Sequence, residues 1–342
     1  MQQPLRTLRH KIILSLVVIL ILSLIFAMKP TNNFKFNNLD KNIKPKSFAS
    51  VIKWLATEPK PKWPQYVNVD SYDIPPPLVK DRVRVSYVGH VTFLIQVDGV
   101  NILTDPVWSE YASPFTFAGP KRIIAPGVKL ADLPKIDVIV LSHNHYDHMD
   151  LATLRDIHKR DQPVIYTSLG NDLIIHKAIK DAKIVTMNWG ETREYDDNIK
   201  LGLEPAQHWS ARGLFDKNDA LWGTFLIETS LGHICFIGDS GYNKAMFQNI
   251  ASKYPNILLS LVPIGAFEPR WFMKDVHMNP EEAVLTHLDL QSKWSIASHF
   301  DVFPLAGEEY GQAAMEMATA MAKYGITSDV FKTPKVGQAE FY

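Results

Sequence analysis

The stretch that decides the fold is Asp137-Val138-Ile139-Val140-Leu141-Ser142-His143-Asn144-His145-Tyr146-Asp147-His148. After Asp137 come four apolar residues, the reading of a buried strand, and the loop that follows packs three imidazoles and one carboxylate into positions 143–148. Loops at strand ends, held by a rigid scaffold, are where sites are built. Neutral imidazole nitrogen and carboxylate oxygen are the donors that Zn²⁺ and similar divalent ions prefer, and no thiolate is needed. On an extended backbone His143 and His145 project together, while Asp147 and His148 lie around the turn and can address a second ion. Asp150 then caps a helix.

Working outward, Val83, Val85 and Tyr87 alternate with Arg82, Arg84 and Ser86, the period-two pattern of a half-buried strand. Residues 92–97 and 100–104 flank Asp98-Gly99, a pair suited to the positive φ values of a tight hairpin. Short apolar runs follow at 137–141, 163–167, 222–228, 233–238, 257–262 and 294–298, with helical patterns near 151–159, 170–180, 279–289 and 309–324. A hairpin-rich opening followed by strand and helix alternation predicts a layered α/β domain with two sheets.

Composition narrows the function. Lys+Arg and Asp+Glu both number 36, so the chain has no basic excess with which to neutralise a nucleic acid backbone, and nucleic acid is not an expected partner. One cysteine, Cys235, excludes an internal disulfide framework and every multi-cysteine metal site.

Residues 12–28 are apolar apart from Ser15 and Ser23, and Arg6, Arg9, His10 and Lys11 precede them. As a helix this run covers about 26 Å, within the range for spanning a hydrocarbon core of about 30 Å. The position two before Ala27 is Ile25, not the small residue that signal-peptide cleavage favours. Residues 1–28 are therefore read as an uncleaved membrane anchor, with a removed signal peptide as the alternative. The catalytic domain is expected on the non-cytoplasmic side. Residues 29–80, with Asn, Lys and Pro clusters around one short apolar stretch, read as a linker lying against the domain, and 81–342 as the catalytic domain.

The His-x-His-x-Asp-His pattern after a buried strand resembles the metallo-β-lactamase superfamily. The fold this implies is a four-layer αββα sandwich, here preceded by the hydrophobic anchor helix. The resemblance also implies the remaining ligands: His208 with His143 and His145 at a first ion, His299 with Asp147 and His148 at a second, and Asp239 bridging the two. The cofactors expected are two divalent metal ions, Zn²⁺ foremost, with Mn²⁺ or Fe²⁺ also suited to such donors.

Longer strings are more specific. Thr104-Asp105-Pro106, Ala112-Ser113-Pro114, Gly119-Pro120-Lys121-Arg122, Pro263-Ile264-Gly265-Ala266-Phe267-Glu268-Pro269-Arg270-Trp271-Phe272-Met273 and His277-Met278-Asn279-Pro280-Glu281-Glu282-Ala283 are similar to the family of N-acyl-phosphatidylethanolamine-hydrolysing phospholipases D. That resemblance implies hydrolysis of a membrane phospholipid to N-acylethanolamine and phosphatidic acid by a hydroxide held between two metals. It also implies a homodimer. Asp147, His277 and His287 are the expected catalytic residues: His277 precedes a helix start and can donate to a phosphoryl oxygen or to the leaving oxygen. The alternative is a lactonase or phosphodiesterase of the same fold with a water-soluble substrate. Lys121, Arg122 and Arg270 are candidates for binding phosphate, with solvated charges or fold-forming ion pairs as the preferred reading.

Overall fold

The computed structural model describes residues 35–43, 46–58, 61–213 and 215–342. The apolar run 12–28, expected to be an anchor, lies outside the described residues. Among the described residues no helix is long and apolar enough to cross a membrane.

Residues Phe36 to Tyr342 form one compact unit, so this unit takes in much of the stretch 29–80. It opens with helix α1 (Phe48–Thr57). Strands β1 (Arg84–Gly89), β2 (Thr92–Val97), β3 (Val100–Thr104) and β4 (Val138–Leu141) follow, then α2 (Leu151–Asp161), β5 (Val164–Ser168), α3 (Asn171–Ala178) and β6 (Lys183–Met187). The second half runs β7 (Thr192–Glu194), β8 (Lys200–Glu204), β9 (Thr224–Thr229), β10 (Gly232–Phe236), α4 (Lys244–Lys253) and β11 (Ile257–Pro263). It ends with α5 (Arg270–Met273), α6 (Pro280–Leu290), β12 (Trp294–Ser298), α7 (Gln312–Tyr324), β13 (Phe331–Lys332) and β14 (Ala339–Phe341).

Two seven-stranded sheets result, ordered β14-β1-β2-β3-β4-β5-β6 and β13-β12-β11-β10-β9-β8-β7. In each the strands nearest the chain's antiparallel hairpins pair antiparallel and the rest parallel, with β3, β4, β5 and β6 parallel in one and β10, β11, β12 and β13 in the other. Phe93, Ile95 and Val140 meet Leu203, Phe225 and Phe236 in the core between the sheets. On the outer face of the first sheet Leu94, Leu103 and Ile139 pack on Leu154 and Ile157 of α2 and Ile175 of α3. Phe247 of α4, Ala283 of α6 and Met317 of α7 belong to the core shared with the second sheet. The four-layer order follows from alternation: successive strand residues face opposite ways, and both faces of parallel strands need apolar cover.

The hairpin turn forms as the sequence requires, with φ 53° at Asp98 and 79° at Gly99. β1 differs from its half-exposed reading, because every one of its residues is buried. Its polar side is covered by the preceding chain: Arg84 donates to Asp73 and to Ser86 Oγ at 2.5 and 2.6 Å, and Gln96 Nε2 donates to the Pro76 carbonyl at 2.8 Å. Alternation reports which side is apolar; it cannot report that a strap of polar chain lies over the other.

Candidate metal centre

All the ligand positions expected from sequence come to one edge of the sandwich, at the ends of strands that no local pattern links. β4 delivers His143, His145, Asp147 and His148; His208 follows β8, Asp239 follows β10 and His299 follows β12. Gly238, at φ 66°, lets the chain turn before Asp239, and a Cβ there would lie 2.5 Å from Ser142 Cβ, so only glycine fits.

The side chains form two four-residue groupings of close ligand atoms, His143, His145, His208 and Asp239, and His90, Asp147, His148 and His299, with Asp105, His143 and His148 and Asp239, His277 and His299 as smaller overlapping ones. Asp239 joins them. Its Oδ2 lies 3.2 Å from His148 Nε2, 3.3 Å from His299 Nε2, 3.6 Å from His208 Nε2 and 4.0 Å from His143 Nε2. Asp147 Oδ2 lies 3.3 Å from His299 Nε2 and 3.4 Å from His148 Nε2.

Hydrogen bonds behind the rings decide which nitrogen faces inward. His148 Nδ1 donates to Asp105 Oδ2 at 2.7 Å, and His208 Nδ1 donates to the Val276 carbonyl at 2.9 Å. Ser142 Oγ donates to Asp105 Oδ2 at 2.5 Å, which leaves its oxygen to accept from His143 Nδ1 at 3.0 Å. With Nδ1 carrying the proton in the neutral ring, Nε2 of His143 and His208 presents a lone pair, and both face His145 Nδ1 at 2.8 and 3.2 Å. One proton on His145 Nδ1 serves only one of these two acceptors well, whereas a cation among the three nitrogens serves all of them. His145 Nε2, His148 Nε2, His299 Nε2 and Asp239 Oδ1 are buried with no hydrogen-bond partner among the described residues. Such groups are costly to leave unpaired, so the donor set fits divalent metal ions.

The electrostatics agree. Burial drives His145 and His208 down to about 3 and His143 well below its ordinary value, so all three are neutral and ligand-ready. Burial also opposes charge on His299, but the Asp239 and Asp147 carboxylates outweigh it and raise this ring to about 9. The two buried carboxylates draw positive charge into the site, and metal ions answer the same demand.

His90 is the residue that the sequence reading passed over. It sits in the turn between β1 and β2 at φ 60°, is 1% exposed, and places Nε2 3.0 Å from Asp147 Oδ2. Its ring lies 4.2 Å from that of His299, and its carbonyl accepts from His299 N at 2.8 Å. The available signal was a histidine after Gly89 at a strand turn, a backbone position that a branched residue rarely adopts. Asp105, seen in sequence only as part of Thr104-Asp105-Pro106, is the buried carboxylate behind His148.

His277 reaches the centre: its Nδ1 is 3.9 Å from Asp239 Oδ2 and has no hydrogen-bond partner among the described residues, and burial lowers it to about 3. His287 does not reach it. On α6 its Nδ1 lies 2.8 Å from Ser295 Oγ and its ring packs 5.6 Å from Phe331, because its helical position turns it onto the second sheet instead of into the cleft. Arg122 is buried, donating to the carbonyls of Val107 and Ser109 at 2.7 and 3.2 Å; Arg270 pairs with Glu282 at 2.6 Å and Lys121 with Glu110 at 2.8 Å. All three are tied into the fold.

The centre lies at the floor of a cleft of about 330 Å³, at the lower end of the range of about 300 to 1,000 Å³ usual for ligand sites. Its walls are Trp54, Trp209, Phe272, Met273 and Val276, with Lys46 and Lys217 as the cations.

Two facing sheets with a histidine and carboxylate centre at the strand ends define a metal-dependent hydrolase fold. The chain belongs to the metallo-β-lactamase superfamily: the family model described as "Beta-lactamase superfamily domain" matches residues 100–300. The chain is 38% identical over 237 residues, 66% of its length, to the N-acyl-phosphatidylethanolamine-hydrolyzing phospholipase D 1 of Caenorhabditis elegans. It is 33% identical over 268 residues, 77% of its length, to the mitochondrial enzyme of the same description from Saccharomyces cerevisiae. The matched stretch spans 65% of the worm protein and 57% of the yeast protein. Among solved structures, an isothiocyanate hydrolase from Delia radicum gut bacteria shares the fold with a TM-score of 0.60 at 19% identity, covering 76% of this chain and 99% of that one.

Proposed function

We propose that this chain is a phosphodiesterase with two divalent metal ions that hydrolyses N-acyl-phosphatidylethanolamine to N-acylethanolamine and phosphatidic acid. The observation that carries the reading is the placement of Asp239 between two imidazole groupings at the floor of an apolar-walled cleft. The named activities of the worm and yeast relatives support the lipid substrate.

Bound at these ligands, divalent ions supply a reactive water at neutral pH and neutralise charge on a phosphoryl group. In the net reaction a water oxygen bonds to phosphorus, the bond from phosphorus to the ethanolamine oxygen breaks, and that oxygen leaves with a proton. Asp147, which lines the cleft with Asp239, would accept a hydrogen bond from a water held at the centre. His277, neutral and with a ring nitrogen unpaired, is placed to hydrogen-bond a phosphoryl or leaving oxygen. Asp105, His90 and the Val276 carbonyl hold the ligands in orientation.

The test is an assay of the purified, metal-loaded full chain on N-acyl-phosphatidylethanolamine in mixed micelles, beside an Asp147→Asn, His148→Ala variant, with phosphatidic acid followed by mass. Phosphatidic acid from the parent alone supports the reading. A parent that cleaves a small phosphodiester or lactone but releases no phosphatidic acid overturns the lipid substrate and favours the water-soluble alternative.

A further inference from the structure

The stretch that composition marks as linker builds one wall of the cleft. Two of its segments, 36–38 and 46–58, are fastened near the metal centre. Asn38 makes a reciprocal pair with the backbone of His208, donating from Nδ2 to its carbonyl at 2.9 Å and accepting from its N–H at 3.0 Å. Phe36 N donates to the Asn218 carbonyl at 3.1 Å, and Asn218 Nδ2 returns a bond to the Phe36 carbonyl at 3.2 Å. Further on, Lys46 Nζ meets Asp275 Oδ2 at 2.7 Å, the Trp54 ring stacks on Phe272 with centroids 5.2 Å apart, and Trp271 Nε1 donates to Glu58 Oε1 at 2.9 Å. These contacts lay α1 across α5 with Val51 and Trp54 toward the cleft and Ile52, 50% exposed, on the outer side.

The wall so made is sharply divided in chemistry. Val51 and Trp54 join Phe272, Met273 and Val276 in an apolar surface that runs down to His208 and His277. Also lining the cleft, Lys217 lies 4.7 Å over the Trp209 ring, and Trp209 packs 4.2 Å from the metal-site ring of His145. Lys46 is neutralised by Asp275, whereas Lys217 has no carboxylate within ion-pair distance among the described residues. A polar substrate laid against the apolar side would leave its buried donors and acceptors without partners, which opposes binding. An acyl chain loses nothing there and gains the burial of its methylenes. An unpaired cation beside the metal centre suits an anion and the apolar wall suits a chain, the two parts of one amphiphile.

We propose that residues 36–43 and 46–57 are the specificity-determining wall of the cleft, with Val51 and Trp54 of α1 gripping the N-acyl chain of the substrate. This rests on the phosphodiesterase reading above, and the experiment separates the two. The metal-loaded full chain is given N-butanoyl and N-hexadecanoyl glycerophosphoethanolamine as monomers, so that each substrate carries one acyl chain and no micelle surface intervenes. The ratio of kcat/KM for the long over the short chain is the readout. The parent is expected to favour the long chain, and Trp54→Ala to lower the ratio roughly tenfold, as loss of a few buried methylene contacts implies. Ile52→Ala, on the outer side of the same helix, keeps the parental ratio. Val51→Asp, which leaves the Trp54 stack in place, provides a second test if Trp54→Ala fails to fold, and it lowers the ratio in the same direction. Unchanged ratios in folded, metal-replete Trp54→Ala and Val51→Asp overturn the wall's role, as does a parent that turns over both substrates with equal kcat/KM. A parent that cleaves neither phosphodiester while hydrolysing a lactone instead overturns the phosphodiesterase reading, and the acyl wall with it.

Discussion

Asp105 Oδ2 accepts from His148 Nδ1 at 2.7 Å, and both side chains are fully buried beneath the metal centre. The bond sets the ring so that His148 Nε2 faces Asp239 Oδ2 at 3.2 Å, and the same carboxylate holds Ser142 N at 2.8 Å through its other oxygen. One acidic side chain thus orients a ligand and the strand end that carries the others. Replacing it with alanine removes both. Asp105→Ala is expected to weaken the binding of one metal equivalent by roughly 10- to 100-fold, the effect usual for the loss of a group that orients a ligand. A competition titration against a chromogenic chelator measures it.

His90 acts on the neighbouring ligand. Because Nε2 lies 3.0 Å from Asp147 Oδ2, His90→Ala frees that carboxylate to rotate, and His90→Gln restores a donor of similar reach. The alanine variant is expected to lose affinity for the same metal equivalent, with the glutamine variant between it and the parent. Equal affinity in all three chains, again by chelator competition, would falsify this role.

Metal removal tests the centre as a whole. Buried imidazoles and carboxylates without counterions oppose folding, so ions that bind only the folded chain stabilise it by mass action. A chelator-stripped sample is expected to melt at a lower temperature than the metal-replete protein, and added Zn²⁺ or Mn²⁺ to restore the higher value. Thermal unfolding followed by circular dichroism is the measurement.

His287 gives a pH dependence that is independent of the metal ligands. Burial lowers its folded-state value to about 4 from an ordinary 6.5, so between those limits the unfolded chain binds the extra proton. Its contribution is present above pH 6.5 and is lost as the pH falls toward 4, up to about 3 kcal/mol in all. His287→Gln is expected to flatten the fall in unfolding free energy across that window. Denaturant melts at several pH values compare the two chains, and identical acid dependence would refute the assignment.

Arg122 tests whether the Gly119-Pro120-Lys121-Arg122 string serves the fold. Its guanidinium donates to Val107 and Ser109 carbonyls and lies 4.6 Å over Phe303, which in turn packs 5.2 Å from the His90 ring. Arg122→Met leaves those carbonyls unpaired in a buried site. A loss of about 2 to 4 kcal/mol in unfolding free energy is expected, read from urea denaturation.

Residues 143–148 were legible because a buried strand and its terminal loop are local features. The spacing of His143, His145, Asp147 and His148 needs only one segment of chain to acquire chemical meaning. His208, Asp239 and His299 became legible by their order and their places after apolar runs, together with the family resemblance. His287 shows the limit of that reading. It shares a helix pattern with residues near His277, but the rotation of α6 against the second sheet turns its ring to Ser295 and Phe331.

The sequence by itself determined the chemistry available: acidic and basic residues in equal number, a single cysteine, and imidazoles and carboxylates at strand ends that suit divalent ions. Only the tertiary structure decided that His90 would face Asp147, that Asp105 would stand behind His148, and that Asn38, Val51 and Trp54 would line the cleft. Those relations join positions far apart in the chain, such as Asn38 with His208 or Trp54 with Phe272. Periodicity describes how a segment folds on itself, and it carries no information about which distant segment will cover it.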